Sequence, residues 1–493
     1  MNAPSSHQLS SRSSDYWTSV GQKRAVQLFQ AAAKRVPAYK KFLATHHIRP
    51  SSIKTADDLK RVPFIDKENY LRKYPLHELA WDGELGQASM ISRSSGSSGQ
   101  PFYWPSNEQQ RDEVGQFYDL VFSLVFNMRQ KNTLVIVAYG MGSWVAGTTT
   151  LLSSIGYMAK NRCTFVTPGY NKSEVIEICK NLGPEYDQVV ICAYPPLVKE
   201  ILDLGREQGV NWPKLKPKFI FGAEAFSEEL RDYMLDQIGS KNPLMDTMNT
   251  IGSADAMVIG HETPISIALR RMIHSDEAMQ NDILGPARMP TVAQYYPWQK
   301  YLEVVDDELL ITADGAIPLI RYNIHDTARV YTYDELNKMT KAHGKAAVEA
   351  LPEDMRAQFR WRLPFVFLYG KSTSAVKLYG ANVYPENIKE ALERKAVAGH
   401  FTGKFRMQVY FDKRHDQRFR LFIELAPGVT SQQVKLRDLQ MGIVKTICET
   451  NTEFKSSYHG TGLKMVPAIS LVPYGRFDLT ATQQNKHKYV EQP

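Results

Sequence analysis

Short uninterrupted apolar runs punctuate the first three-quarters of the chain, at residues 134–137, 189–193, 219–221 and 309–312. Runs of this length, rich in branched side chains and bounded by polar or glycine-bearing segments, predict strands buried on both faces. Helical stretches lie between them. The clearest is 227–238, where Ser227 is placed to cap the N-terminus, acidic residues fill the first turn and Gly239 follows the end. Strands alternating with helices predict an α/β fold with mainly parallel sheets.

The last quarter has a different rhythm. Phe405, Met407, Val409 and Phe411 alternate with polar residues, as do Phe419, Leu421, Ile423 and Leu425, which predicts two half-buried strands. Leu436, Leu439, Ile443 and Ile447 then fall on one helical face, and a further short strand is expected near 469–472. The pattern changes near 370–377. This predicts a large N-terminal α/β domain over 1–372 and a small mobile C-terminal α+β domain over 373–493.

One uncharged run, 132–159, is long enough to span a bilayer. Gly140, Gly142, Gly147 and Gly156 interrupt it, so a strand, a glycine turn and a helix are expected instead. The chain has 493 residues, 43% hydrophobic and 23% charged, which fits a multidomain globular protein. Its four cysteines, Cys163, Cys179, Cys192 and Cys448, show neither CxxC spacing nor a histidine cluster. Residues 1–12 are Ser-rich and carry no apolar signal core, so a reduced cytoplasmic protein is expected. The net charge of +8 comes from Lys and Arg interleaved with Asp and Glu. No basic block with stacking aromatics stands out, so neither nucleic acid nor membrane is an expected partner.

The segment Ser94-Ser95-Gly96-Ser97-Ser98-Gly99-Gln100-Pro101 is the most informative for chemistry. Small residues let several backbone N–H groups converge on phosphate oxygens, while hydroxyls add donors. No GK[ST] ends the run, so it is not a Walker A loop. Alone it fits a linker as well as a phosphate loop. Four further segments follow in order: Phe221-Gly222-Ala223-Glu224, Ile251-Gly252-Ser253-Ala254-Asp255, Pro318-Leu319-Ile320-Arg321-Tyr322 ending in Asp326, and Gly370-Lys371-Ser372 continuing to Lys377, Gly380 and Pro385-Glu386.

Together these five resemble the nucleotide loop, GAE segment, YGxTE motif, PLIRYxxGD motif and GRxDDxxKxxGxxxxPxEIE signature of the adenylate-forming superfamily. The nearest branch in appearance is the phenylacetate–CoA ligase family. The resemblance implies ATP-dependent activation of a carboxylic acid to an acyl-adenylate, then acyl transfer to coenzyme A. It implies that Ser94, Ser95, Gly96, Ser97, Ser98 and Gly99 hold the β- and γ-phosphates. Asp255 would act in catalysis and help hold Mg²⁺, and Asp326 would take the ribose hydroxyls. Gly222, Ala223, Glu224, Asn249, Gly252, Ser253, Lys371 and Lys377 would complete the ATP site. Tyr139, Gly142, Trp144 and Tyr194 would line an acyl pocket suited to an apolar or aromatic acid. Gly380 would border the thiol tunnel, and Lys486, with Lys488 as competitor, would supply the catalytic positive charge. A homodimer is left open.

Other roles fit some of these positions. Asp326 could be a partner of Arg321, Asp255 a helix cap, and the C-terminal lysines a solvated tail. The sequence also departs from the family's pattern. Gln100 stands for the loop lysine, Ala254 for a hydroxyl residue, Lys371 for arginine, and Thr373 and Ser374 for the aspartate pair at the domain hinge. These departures keep open an amine or carrier-protein thiol as acceptor, and a relative that binds nucleotide without catalysis.

Overall fold

The computed structural model describes residues 4–86, 88–94, 102–158, 161–222, 225–226, 228–284, 289–371, 375–394, 397–426 and 428–476. Its centre is an eleven-stranded sheet. One half is parallel, with Cys163–Val166, Thr133–Val137, Gln188–Cys192, Lys218–Phe221 and Thr247–Ser253 side by side. The other half is antiparallel, continuing through Met257–His261, Thr291–Gln294, Phe365–Lys371, Leu319–Tyr331, Glu308–Ala313 and Lys300–Val305. The α/β expectation is borne out, and the change of direction falls at Thr247–Ser253.

The apolar runs are continuous because both faces of these strands are covered. Leu134, Ile136, Val189, Ile191, Phe219 and Phe221 face a layer that includes Val175, Val198 and Ile201. Val135, Val137, Val190, Cys192 and Ile220 face the opposite layer, with Phe117, Phe122 and Leu269. The uncharged run resolves as Thr133–Val137, a glycine turn and the helix Val145–Met158. No described helix is long and apolar enough to cross a membrane. The helix expected over 227–238 forms over Glu228–Gln237, and Gly239 after it has φ +59°. Ser227 lies outside the described residues.

The C-terminal quarter builds its own α+β arrangement. Phe401–Phe411 and Gln417–Leu425 pair antiparallel, and Ala468–Val472 joins parallel to the second. The helices Pro385–Glu393, Leu436–Thr450 and Thr452–Thr461 complete it. Before them comes a hairpin, Val376–Leu378 with Ala381–Val383. Its two-residue turn has positive φ at Tyr379 (47°) and Gly380 (84°), which a primed turn needs at both positions.

Two buried features support quantitative expectations. Gly205 lies in the helix Pro195–Glu207 directly over Trp212, whose Nε1–H donates to Leu202 O at 2.8 Å. A Cβ at Gly205 would overlap the indole ring. The Gly205→Ala variant is expected to lose roughly 1–3 kcal/mol of stability, read as a lower thermal midpoint. His261 is buried with its Nδ1 2.7 Å from Glu262 O and its Nε2 2.7 Å from the Tyr296 hydroxyl. These contacts suit a neutral ring that donates from Nδ1 and accepts at Nε2. Burial pushes its pKa down to about 4. Between that value and the ordinary histidine value the unfolded chain binds the extra proton, so stability falls as pH drops through this window. The unfolding free energy from urea titrations should therefore decline below about pH 6.5, by roughly 3 kcal/mol in all. The slope should flatten in His261→Gln.

Candidate active site

The strands of the parallel half point the same way, so their C-terminal ends open on one edge, the place where α/β sheets bind ligands. Tyr139, Tyr194, Gly222 and Thr250 gather there. Tyr139 donates its hydroxyl to Ile220 O at 2.8 Å, and Thr250 Oγ1 donates to Phe221 O at 2.8 Å. A Cβ on Gly222 would stand 2.9 Å from Thr250 Oγ1 and 3.3 Å from the Tyr139 hydroxyl, so glycine is required by the close approach. Burial pushes the Tyr139 pKa well above its ordinary value, keeping the phenol neutral. Thr250 was not picked out in the sequence, although Asn249 and Gly252 on either side of it were, because its role comes from the approach of Gly222 and Phe221.

Beneath this edge lies a fully buried charge network. Arg231, 0% exposed, donates to Glu262 Oε1 at 2.6 Å, Glu228 Oε2 at 3.1 Å and Thr247 Oγ1 at 2.7 Å. Glu262 in turn accepts from the Asn249 N–H at 2.8 Å. Arg270 pairs with Glu228 and donates to Phe226 O at 2.6 Å. Burial lowers the Arg231 pKa, but Glu262 and Glu228 outweigh it and raise the pKa above the ordinary value. The network ties Asn249, within the strand Thr247–Ser253, to Phe226, just beyond the GAE segment.

Ser94 closes the base of the Ser/Gly loop, its N–H donating to Phe102 O at 2.9 Å and its Oγ accepting from Phe102 N–H at 2.8 Å. Next to it, Arg93 N–H donates to Ser143 O at 2.9 Å. This bond ties the loop base to the turn that carries Gly142 and Trp144. Gly142 has φ +76°, and Trp144 is half-buried. The structure thus joins two segments predicted for different substrates.

The Ile251–Asp255 motif is a strand end and turn between Thr247–Ser253 and Met257–His261, so Asp255 caps no helix. A Cβ on Gly252 would stand 2.9 Å from Met257 O. Ser253 Oγ accepts from Ala256 N–H at 3.2 Å. The Asp255 side chain is 7% exposed. It accepts from the Tyr322 hydroxyl at 2.7 Å and lies 3.5 Å from Lys67 Nζ. Burial alone would raise its pKa, but Lys67, Ser253 and Tyr322 outweigh burial and hold it below the ordinary range. Lys67 was missed in the sequence because nothing local marks it. It arrives by a backbone clip, Ile65 N–H to Arg321 O at 3.2 Å and Asn323 N–H to Ile65 O at 2.8 Å.

Arg321 pairs with Glu303 at 3.2 Å and with Lys60 O at 2.9 Å, and it also donates to Val62 O. The strand register sets Asp326 opposite Lys371 and Thr327 opposite Gly370, so the PLIRY and GR-type segments meet side by side. Asp326 is half-buried and Lys377 exposed. The Gly380 turn packs on Tyr194, the residue expected to line an acyl pocket. A Cβ on Gly380 would lie 3.6 Å from the Tyr194 ring. Ser95, Gly96, Ser97, Ser98, Gly99, Gln100, Ala223, Glu224, Thr373, Ser374, Lys486 and Lys488 lie outside the described residues. Among the described residues no group of three His, Cys, Asp or Glu could hold a metal. The single carboxylate of Asp255 still suits Mg²⁺, which takes one or two protein carboxylates and leaves other positions to phosphate and water.

No protein-family model matches the chain. The phenylacetate–coenzyme A ligase of Aromatoleum evansii is 23% identical over 321 residues, 64% of this chain and 67% of that protein. The enzyme of the same name from Pseudomonas putida is 22% identical over 364 residues, 73% and 71% of the two chains. Among solved structures, a 2-hydroxyisobutyryl-CoA ligase, crystallised with an acyl-adenylate and CoA in its thioesterification state, superposes with a TM-score of 0.67. It is 13% identical, and the match covers 100% of this chain and 94% of that one. The same ligase in its postadenylation state gives 0.54 at 14% identity, with the same coverage. By sequence the chain is similar to the phenylacetate–coenzyme A ligases, and it shares the fold of the 2-hydroxyisobutyryl-CoA ligase.

Proposed function

We propose that this chain is an AMP-forming acid–thiol ligase that activates an aromatic or apolar carboxylic acid with ATP and passes the acyl group to coenzyme A. The observation that carries the reading is the meeting of Tyr139, Gly222, Thr250 and Tyr194 at one strand-end edge, with the Gly380 turn closing over it. The curated relatives, named phenylacetate–coenzyme A ligases, support the same chemistry.

In the first step a carboxylate oxygen attacks the α-phosphorus of ATP. An acyl–phosphate bond forms, the bond to the β-phosphate bridge breaks, and pyrophosphate leaves. The protein's task is positioning and charge neutralisation. Backbone N–H groups of the Ser94–Gly99 run would cradle the phosphates, Asp326 would accept the ribose hydroxyls, and Gly222 with Asn249 would border the adenine. Asp255 would hold Mg²⁺, which when bound supplies neutralisation of the phosphate charge. Lys67, within reach of the same carboxylate, balances its buried charge when the site is free. Lys486 would bring the second positive charge. In the next step the sulfur of the thiol attacks the acyl carbon, the bond to AMP breaks, and the thiol proton leaves with water or AMP. The C-terminal unit is movable in this reading, and Gly380 leaves room for the incoming thiol.

The test is pyrophosphate release across a panel of carboxylic acids, phenylacetate included, with ATP and Mg²⁺ and with or without coenzyme A. One acid class should trigger release, and CoA should raise turnover. Lys486→Ala should slow release by roughly 10²–10³-fold, the usual loss on removing one positioned charge donor. Asp326→Ala should raise the KM for ATP about tenfold or more, through lost charge-assisted hydrogen bonds. Release that ignores CoA would redirect the second step to an amine or carrier-protein thiol. No release with any acid, together with no ATP binding by calorimetry, would overturn the reading.

A further inference from the structure

The helix Pro195–Glu207 begins at the acyl pocket, with Tyr194 as its cap residue, and one turn later reaches the C-terminal unit. A chain of alternating charges runs across that contact. Lys172 pairs with Glu200 at 2.7 Å, and Glu200 with Lys464 at 3.2 Å. Lys464 pairs with Asp416 at 3.3 Å, Asp416 with Lys199 at 2.9 Å, and Lys199 with Asp203 at 2.7 Å. The Tyr233 hydroxyl ends the chain on Asp203 at 2.5 Å. Lys172, Lys199, Glu200 and Asp203 belong to the large unit, whereas Asp416 and Lys464 come from the small one. Glu200 is 1% exposed and Lys199 2%.

Apolar contacts between the units tolerate sliding, whereas buried charges fix one orientation. Turning the small unit would take Lys464 from Glu200 and Asp416 from Lys199, leaving each buried group one partner in a dry setting, which is costly. The same orientation seats the Tyr379–Gly380 turn. Gln417, next to Asp416, accepts from Tyr379 N–H at 2.6 Å through Oε1, and its carbonyl accepts from the Tyr379 hydroxyl at 3.2 Å. The charge chain and the Gly380–Tyr194 contact are therefore two ends of one rigid connection.

We infer that Lys464, Asp416, Lys199 and Glu200 are positioning residues for the acyl-transfer step, holding the small unit with Gly380 over the acyl pocket, and are dispensable for pyrophosphate release. This rests on the two-step reading above. Lys464 is the informative site. It links both carboxylates, yet when it is removed Glu200 keeps Lys172 within the large unit and Asp416 keeps Lys199 across the contact, so neither carboxylate is orphaned and one of the two cross-links is lost.

The experiment compares wild type, Lys464→Met and Lys464→Arg in the full chain. Methionine keeps the packing stem and removes the charge, and arginine restores it. Hydrogen exchange of the free enzyme is read first at 376–383. It should quicken about tenfold in Lys464→Met, return towards wild type in Lys464→Arg, and stay unchanged at 188–192 in all three. Thioester formation, with the best acid of the panel and coenzyme A, should fall about tenfold in Lys464→Met. Pyrophosphate release without the thiol should stay within about twofold. Unchanged exchange at 376–383 would overturn the inference, as would an equal fall in both half-reactions. Failure of the ligase reading itself would show separately, as no release by wild type with any acid, and the exchange result then decides this inference alone.

Discussion

Arg231 cannot discard its proton and has no water to share its charge with, so the protein must hold two carboxylates around it. Glu228 and Glu262 meet that demand from a helix and from the end of a strand, and each fixes a different neighbour. Glu262 bonds the backbone of Asn249, and Glu228 binds Arg270, which in turn holds Phe226 O. This knot lies where the great sheet turns from parallel to antiparallel. The parallel half supplies the strand ends where Tyr139, Gly222 and Thr250 gather. The antiparallel half supplies Asp255, Tyr322 and Asp326. The two halves meet in register because the strand shared between them is tied underneath by one desolvated guanidinium.

Much of this was legible in the sequence for a simple reason. The runs at 134–137, 189–193 and 219–221 are apolar at every position because they are covered on both faces, and that signal is local. The run at 309–312 reads the same way, yet its strand pairs antiparallel on both sides, since side-chain pattern does not encode strand direction. The alternation at 405–411 and 419–425 was equally plain, because that small sheet is covered differently on its two faces.

The site was legible only where motifs carry it, and its remaining members depend on distance along the chain. Lys67 reaches Asp255 through the bridge of Ile65 to Tyr322, 257 positions apart in sequence, and Thr250 stands out only once Gly222 and Tyr139 are set beside it. Arg321 is instructive in the other direction. Its motif suggested a partner five residues away, whereas the fold gives it Glu303 and two carbonyls of the N-terminal segment. Long polar side chains choose partners by tertiary proximity, which no window of sequence reports.

The helix that starts at Tyr194 behaves as a ruler. Six residues separate Tyr194, the proposed pocket wall, from Glu200, about 9 Å of stiff rod at the rise of an α-helix. Reshaping the acid pocket by pushing on Tyr194 therefore displaces the far fulcrum as well. Under the proposed reading, substrate range and the seating of the C-terminal unit are inherited together on one lever, and an engineer who widens the first must retune the second.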